Sequence, residues 1–73
     1  MNITFYETTG IKKNFIFDYG TRIKDALEKF SERIGIPKYN LTFLFNGKAL
    51  NPDDERKIED KLFDLAEITV IRK

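Results

Sequence analysis

The 73-residue chain contains no cysteine and no histidine. Without cysteine, neither a disulfide nor a thiolate zinc site can support a small core, and the composition suits a reducing compartment. The two absences also remove the commonest general base, the thiol nucleophiles and the usual zinc ligands. We therefore expect a protein that is not an enzyme and that holds no metal or cofactor.

Long apolar runs and an excess of one charge are also missing. No stretch approaches the roughly 20 apolar residues of a membrane span, and the first ten residues lack a basic segment followed by an apolar run. The 13 basic and 12 acidic residues give a net charge of +1 and are mixed along the chain, so no strong field gathers nucleic acid. We expect a cytoplasmic or nuclear protein that does not bind membranes.

The densest carboxylate group, Asp53, Asp54 and Glu55, lacks the glycine of a calcium loop and is followed directly by Arg56 and Lys57. We interpret it as helix capping and surface charge. The chain also has no Gly-rich phosphate loop, serine nucleophile elbow or nucleotide motif. A small-molecule partner is therefore not expected.

The residues that are present predict a folded protein. Hydrophobic residues make up 41% of the chain and charged residues 34%, with seven Phe and three Tyr, which is typical of a globular protein. At this length folding removes only about 60% of the accessible surface of the unfolded chain. The sequence thus predicts a single domain over residues 1–73, with little material for a deep catalytic cleft.

Four segments alternate apolar and polar residues as half-buried strands do, and they cover residues 1–7, 11–18, 41–46 and 67–73. The side chains predicted to face the core are Met1, Ile3, Phe5, Phe15, Phe17, Leu41, Phe43, Phe45, Ile68 and Val70. Leu44 is then a large aliphatic residue on the polar face. The last segment is predicted to be the central strand of a sheet covered by a helix.

Between the second and third strands the apolar spacing changes to three and four residues. Thr21 is predicted to be the N-cap of a helix that Gly35 ends. The residues on its apolar stripe are Ile23, Ala26, Leu27, Phe30 and Ile34.

After the third strand, Asn46-Gly47 predicts a tight turn into a very short strand at residues 48–50. Pro52 is predicted to lie in the first turn of a short helix. Ile58 and either Leu62 or Phe63 are expected to point toward the core. The register of residues 51–66 stays open.

This order of elements resembles the ubiquitin-like β-grasp family over essentially the whole chain. The similarity is carried by Thr9-Gly10, by Ile23, Leu27 and Phe30 on the helix, by Gly35-Ile36-Pro37 and by LTFLFNGKAL at residues 41–50, with one or two residues inserted after Leu50. It implies an α+β fold in which a mixed four- to five-stranded sheet, in ββαββ order, packs on one α-helix.

In that family the sheet face away from the helix carries an apolar patch that docks partner proteins. The resemblance implies a monomeric, non-covalent interaction module with ubiquitin-receptor, proteasome-type or assembly partners. The residues implied for binding are Tyr6, Thr42, Leu44, Gly47, Lys48, Thr69 and Ile71. Single exposed apolar residues are common on protein surfaces, so a purely structural role for Leu44 in its strand stays open.

Two further hypotheses belong to other classes. Ubiquitin-like modifiers are attached through a C-terminal Gly-Gly, whereas this chain ends in TVIRK, so a covalent modifier requires a tail outside this sequence. A nucleic-acid binder requires one basic face, and the residues available for it are Lys12, Lys13, Arg72 and Lys73. The nucleic-acid hypothesis rests on charge alone.

Overall fold

The computed structural model describes residues 1–73 and contains five strands and one α-helix. The strands are β1 (Asn2–Glu7), β2 (Lys12–Ile16), β3 (Leu41–Phe45), β4 (Lys48–Ala49) and β5 (Ala66–Arg72), and the helix α1 spans Ile23–Ile34. Short 3-10 turns occupy Lys38–Asn40 and Ile58–Asp60. The structure confirms the predicted α+β class, with one helix packed on a mixed sheet.

The strands form one sheet in the order β2-β1-β5-β3-β4. β1 and β5 are parallel, and the other neighbouring pairs are antiparallel. β5 therefore lies between the first and third strands, and its predicted central position is confirmed. The two edges are formed by β2 and by the very short β4.

The core lies between α1 and one face of the sheet, and Phe5 is near its centre. The Phe5 ring stacks on Phe30 of α1 at a centroid distance of 4.6 Å and meets the edges of three further rings, those of Phe15, Phe17 and Phe43. The predicted inward rows are confirmed, although Met1, Phe15, Ile34 and Phe45 are only partly buried at the margin of the core.

The beginning of α1 differs from the prediction. Arg22, not Thr21, is the N-cap residue, and it makes no side-chain capping bond. The Thr21 hydroxyl instead donates to the carbonyl oxygen of Asp18 at 2.7 Å, so its predicted capping role is wrong. Gly35 does end the helix, in the left-handed conformation at φ 74°, because a residue without Cβ adopts that conformation at little cost.

Backbone groups of a distant loop cap α1 in place of a side chain. The amide of Ile23 donates to the carbonyl oxygen of Arg56 at 3.0 Å, and that of Lys24 donates to Asp54 at 2.9 Å. These bonds satisfy two amides that have no partner inside a helix. The loop over residues 54–56 is thereby fixed against the helix.

The segment between β4 and β5 also differs from the prediction. Pro52 lies in a turn and begins no helix. The carbonyl oxygens of Asp54 and Arg56, which a helix here would use for its own hydrogen bonds, accept the first amides of α1 instead. Ile58 is fully buried as predicted, and Leu62 is the second core residue at 5% exposure. Phe63 is 58% exposed, which settles the choice between the two.

Asp54 provides an acid-sensitive contact in this loop. Its carboxylate accepts hydrogen bonds from the side chain and the backbone amide of Arg56, which lower the pKa of Asp54 from 3.8 to about 2. Because the pKa is lower in the folded state, the carboxylate stabilises the fold above its unfolded pKa, and this stabilisation is lost as the pH falls from 3.8 toward 2.

We predict that Asp54→Asn lowers the stability near neutral pH and makes unfolding less sensitive to acid in that window. Urea unfolding followed by circular dichroism at several pH values measures this effect. Glu67→Gln is the control, because Glu67 is exposed and forms no ion pair. Equal acid sensitivity of the wild type and Asp54→Asn would contradict the prediction.

Leu65 has a strained backbone. Its φ is +71° and its side chain is 71% exposed, so the strain of about 1–2 kcal/mol in the left-handed region is not offset by burial.

Leu65→Gly should raise the free energy of unfolding by roughly 0.5–1 kcal/mol, after allowing for the entropy of glycine. Leu65→Ala keeps Cβ and should bring no gain; chemical denaturation of both variants tests the difference.

Candidate functional site

The sheet has a face turned away from α1, which we call the outer face. Because Ile3, Phe5 and Glu7 of β1 are buried, the alternate residues Thr4 and Tyr6 lie on the outer face. Strand pairing extends the outer face to the other strands. Its side chains are Asn2, Thr4, Tyr6, Lys12, Asn14, Ile16, Thr42, Leu44, Ala49, Glu67, Thr69 and Ile71.

One row of the outer face crosses all five strands in register. Tyr6 pairs with Lys12 on one side and with Thr69 on the other, Thr69 pairs with Leu44, and Leu44 pairs with Ala49. We call these five residues the central row. Neighbouring side chains of the row are about 4.8 Å apart in the strand-to-strand direction, so the row is about 19 Å long.

The outer face brings together five of the seven residues implied for binding. Tyr6, Thr69 and Leu44 belong to the central row, and Thr42 pairs with Ile71 beside it. Tyr6 is 43% exposed and Ile71 is 39% exposed, whereas the other three are half-buried.

Leu44 points away from the core, as the alternation predicts. Its side chain is only half-buried, and it does not rank among the large exposed hydrophobic residues of the chain. Tyr6 on β1 and Ile71 on β5, which lie on the same side of β3, present more of their side chains to solvent. The accessible apolar surface is thus shared between the central row and the neighbouring Thr42–Ile71 pair. Leu44 contributes less of it than Tyr6 or Ile71 does.

Gly47 and Lys48 contribute no side chain to the outer face. Asn46 and Gly47 have φ values of 53° and 80°, the two positive values of a type I′ hairpin turn, which confirms the predicted turn. Lys48 pairs with Phe45, whose side chain packs against the core. The alternation therefore directs Lys48 to the helix side of the sheet edge, opposite to Leu44.

The four residues of the hypothetical basic face do not form one patch. Lys12 pairs with Tyr6 on the outer face, whereas Lys13 pairs with Phe5 on the core side. The Arg72 side chain donates through Nε to Glu7, a bond that raises the pKa of Arg72. Lys73 is held by its backbone amide, which donates to Asn40 at 3.0 Å.

A second group of exposed apolar residues, Phe63 and Leu65, was not identified from the sequence. Phe63 and Leu65 follow the last 3-10 turn, and the Phe63 ring meets the edge of Phe45 at 5.5 Å. Ile16, which the alternation directs outward, is 76% exposed on the outer face. The two residues Leu62 and Phe63 are equally apolar in sequence, so only the structure reveals which one is exposed.

The structure has no pocket and no group of three or more side chains arranged to hold a metal ion. No helix is both long enough and apolar enough to cross a membrane. The candidate site is the surface of the outer face.

No family model matches the chain, and no curated protein matches it. A function for the outer face therefore has to be argued from its own residues.

Proposed function

We propose that this chain is a ubiquitin-like β-grasp domain that binds partner proteins non-covalently through its outer face. The fold part of the proposal is supported by the order of the elements, in which one helix connects two pairs of strands. It is supported further by the parallel pairing of β1 with β5 at the centre of the sheet.

The observation that carries the binding part is the central row together with Ile71 beside it. Tyr6 provides an aromatic side chain with a polar hydroxyl, and Leu44 and Ile71 provide aliphatic contacts around Thr69. Tyrosine is enriched among the residues that dominate binding energy at interfaces. Between Tyr6 and Ala49 the row has no charge to desolvate, so partner contact there carries no cost of burying an ion.

Binding rather than catalysis is proposed because the chain has neither histidine nor cysteine, and the hydroxyls of the outer face have no general base of that kind beside them. The predicted patch is small compared with a standard interface, so the affinity should be weak or moderate. The partners proposed are of ubiquitin-receptor, proteasome or assembly type, and the domain acts as a monomer.

Covalent attachment is the alternative, and it requires a free, extended tail. The Arg72 side chain donates a hydrogen bond to Glu7, and the backbone amide of Lys73 donates one to the carbonyl oxygen of Asn40. A tail would have to begin after these residues. No contact in the structure favours this alternative over non-covalent binding.

The proposal predicts that outer-face truncations weaken partner capture without unfolding the protein. The immobilised domain is exposed to a cell extract, and bound proteins are quantified by mass spectrometry for the wild type, Tyr6→Ala, Leu44→Ala and Ile71→Ala. The amount of specific partner captured by each variant should be at least about fivefold lower than for the wild type, which corresponds to roughly 1 kcal/mol of binding energy.

Ile16→Ala is the matched control, because Ile16 is an exposed aliphatic residue on the same face but belongs neither to the central row nor to the Thr42–Ile71 pair beside it. It should capture the partner as the wild type does. Circular dichroism verifies that every variant is folded. Unchanged capture by Tyr6→Ala and Ile71→Ala, with loss for Ile16→Ala, would contradict the proposed site.

A further inference from the structure

Two charged residues, Lys12 and Glu67, lie on the outer face, and the remaining residues of that face are uncharged. Both are exposed, and neither takes part in a salt bridge. Lys12 forms the β2 end of the central row, while Glu67 pairs with Thr4, two residues along β1 from Tyr6. Two unpaired opposite charges therefore lie on either side of Tyr6.

Lys12 and Glu67 form no salt bridge with each other. Their positions in the sheet are separated by two strand spacings, roughly 10 Å, and by two residues along the strand, roughly 7 Å, which places the two positions roughly 12 Å apart. At that distance, which exceeds a Debye length at physiological salt, exposed charges are largely screened from each other. Each is available to a partner that carries the opposite charge at the matching place.

The geometry of the outer face also restricts the form of a partner segment. Backbone groups of β1, β5 and β3 are directed sideways into the ladders of the sheet, so the outer face offers side chains only. A segment lying on it must satisfy its own backbone hydrogen bonds, which a helix does and an isolated extended peptide does not. The 5.4 Å pitch of a helix also approximates the 4.8 Å spacing of the row.

We propose that Lys12 and Glu67 determine specificity for an amphipathic helix of a partner protein. The apolar side of the helix lies along Tyr6, Thr69 and Leu44. An acidic group of the helix faces Lys12, and a basic group faces Glu67. The inference rests on the proposed function, and it adds the charge pattern that the partner must carry.

Two synthetic helices with the same length and the same apolar side test the inference. The matched helix carries Glu and Lys at the positions that face Lys12 and Glu67, and in the exchanged helix these two residues trade places. Both are titrated into ¹⁵N-labelled protein at low salt and followed by NMR. The matched helix should bind at least about fivefold more tightly and shift Tyr6, Thr69 and Leu44.

The double variant Lys12→Glu with Glu67→Lys should reverse the preference, because it inverts both charges and leaves the net charge unchanged. The matched control is Lys29→Glu with Glu32→Lys, which exchanges two exposed charges on α1. It should keep the wild-type preference.

The outcomes separate the inference from the proposed function. Equal affinity of the two helices at the outer face would overturn the charge inference and leave the proposed function intact. Failure of both helices to shift the central row would overturn the helical partner, while the capture experiment still decides the proposed function. Shifts in this row that depend on protein concentration alone would identify a second copy as the occupant and overturn the inference.

Discussion

Phe5→Ala is expected to lower the free energy of unfolding by about 3–5 kcal/mol, the usual cost of truncating a buried phenylalanine. Phe5 is fully buried, and its ring contacts those of Phe15 on β2, Phe17 just after β2, Phe30 on α1 and Phe43 on β3. A chain of this length is stable by only roughly 4–11 kcal/mol at about 0.05–0.15 kcal/mol per residue. The variant should therefore lose a large share of its stability.

Urea unfolding followed by circular dichroism measures the loss, and Phe63→Ala is the matched control. Phe63 is 58% exposed and makes one ring contact, with Phe45, so its truncation should cost about 1 kcal/mol or less. Similar losses for the two variants would show that the aromatic cluster around Phe5 is not the centre of the core.

The second large effect is expected from Arg72→Met. The Glu7 side chain is 1% exposed, whereas that of Arg72 is 49% exposed, so the pair is buried on one side only. Glu7 already has one buried oxygen, Oε2, without a hydrogen-bond partner. Removal of Arg72 would leave the whole carboxylate in the core without its charged partner, and breaking a buried pair in this way is strongly destabilising.

The reverse change should be much milder. In Glu7→Met the half-exposed Arg72 can turn to solvent, and the double variant Glu7→Met with Arg72→Met replaces the pair by apolar packing. We expect Arg72→Met to have the lowest thermal midpoint of the three variants. The double variant should recover about half or more of the midpoint that Arg72→Met loses. A double variant as unstable as Arg72→Met alone would contradict this account.

The strands and their faces could be predicted because their information is local. Alternation with a period of two decides which side chains face the core, and it correctly separates Phe43 from Leu44 and Val70 from Ile71. The same alternation puts Glu7 on the core face. The sequence does not reveal its partner, because Arg72 is 65 residues away and is brought beside it only by the central position of β5.

The features that could not be predicted depend on contacts between distant segments. Thr21 has the right residue type for an N-cap, but carbonyl groups of the 54–56 loop occupy that role. Residues 51–65 have no sustained period, so neither the turn at Pro52 nor the exposure of Phe63 could be read from them.

The candidate site was predicted only in part, for a similar reason. Position along the chain places Lys48 near Leu44, yet the two-residue turn pairs Lys48 with Phe45 and so assigns it to the other side of the sheet. The degree of burial of Leu44 depends on its neighbours on β4 and β5. The alternation gives its direction but not its exposure.

The most direct test of the proposed binding face is an NMR shift map of ¹⁵N-labelled protein with the partner recovered in the capture experiment. The account predicts that the perturbed residues centre on Tyr6, Leu44, Thr69 and Ile71. Perturbations confined to Phe63, Leu65 and Ile16, with the central row unchanged, would contradict it.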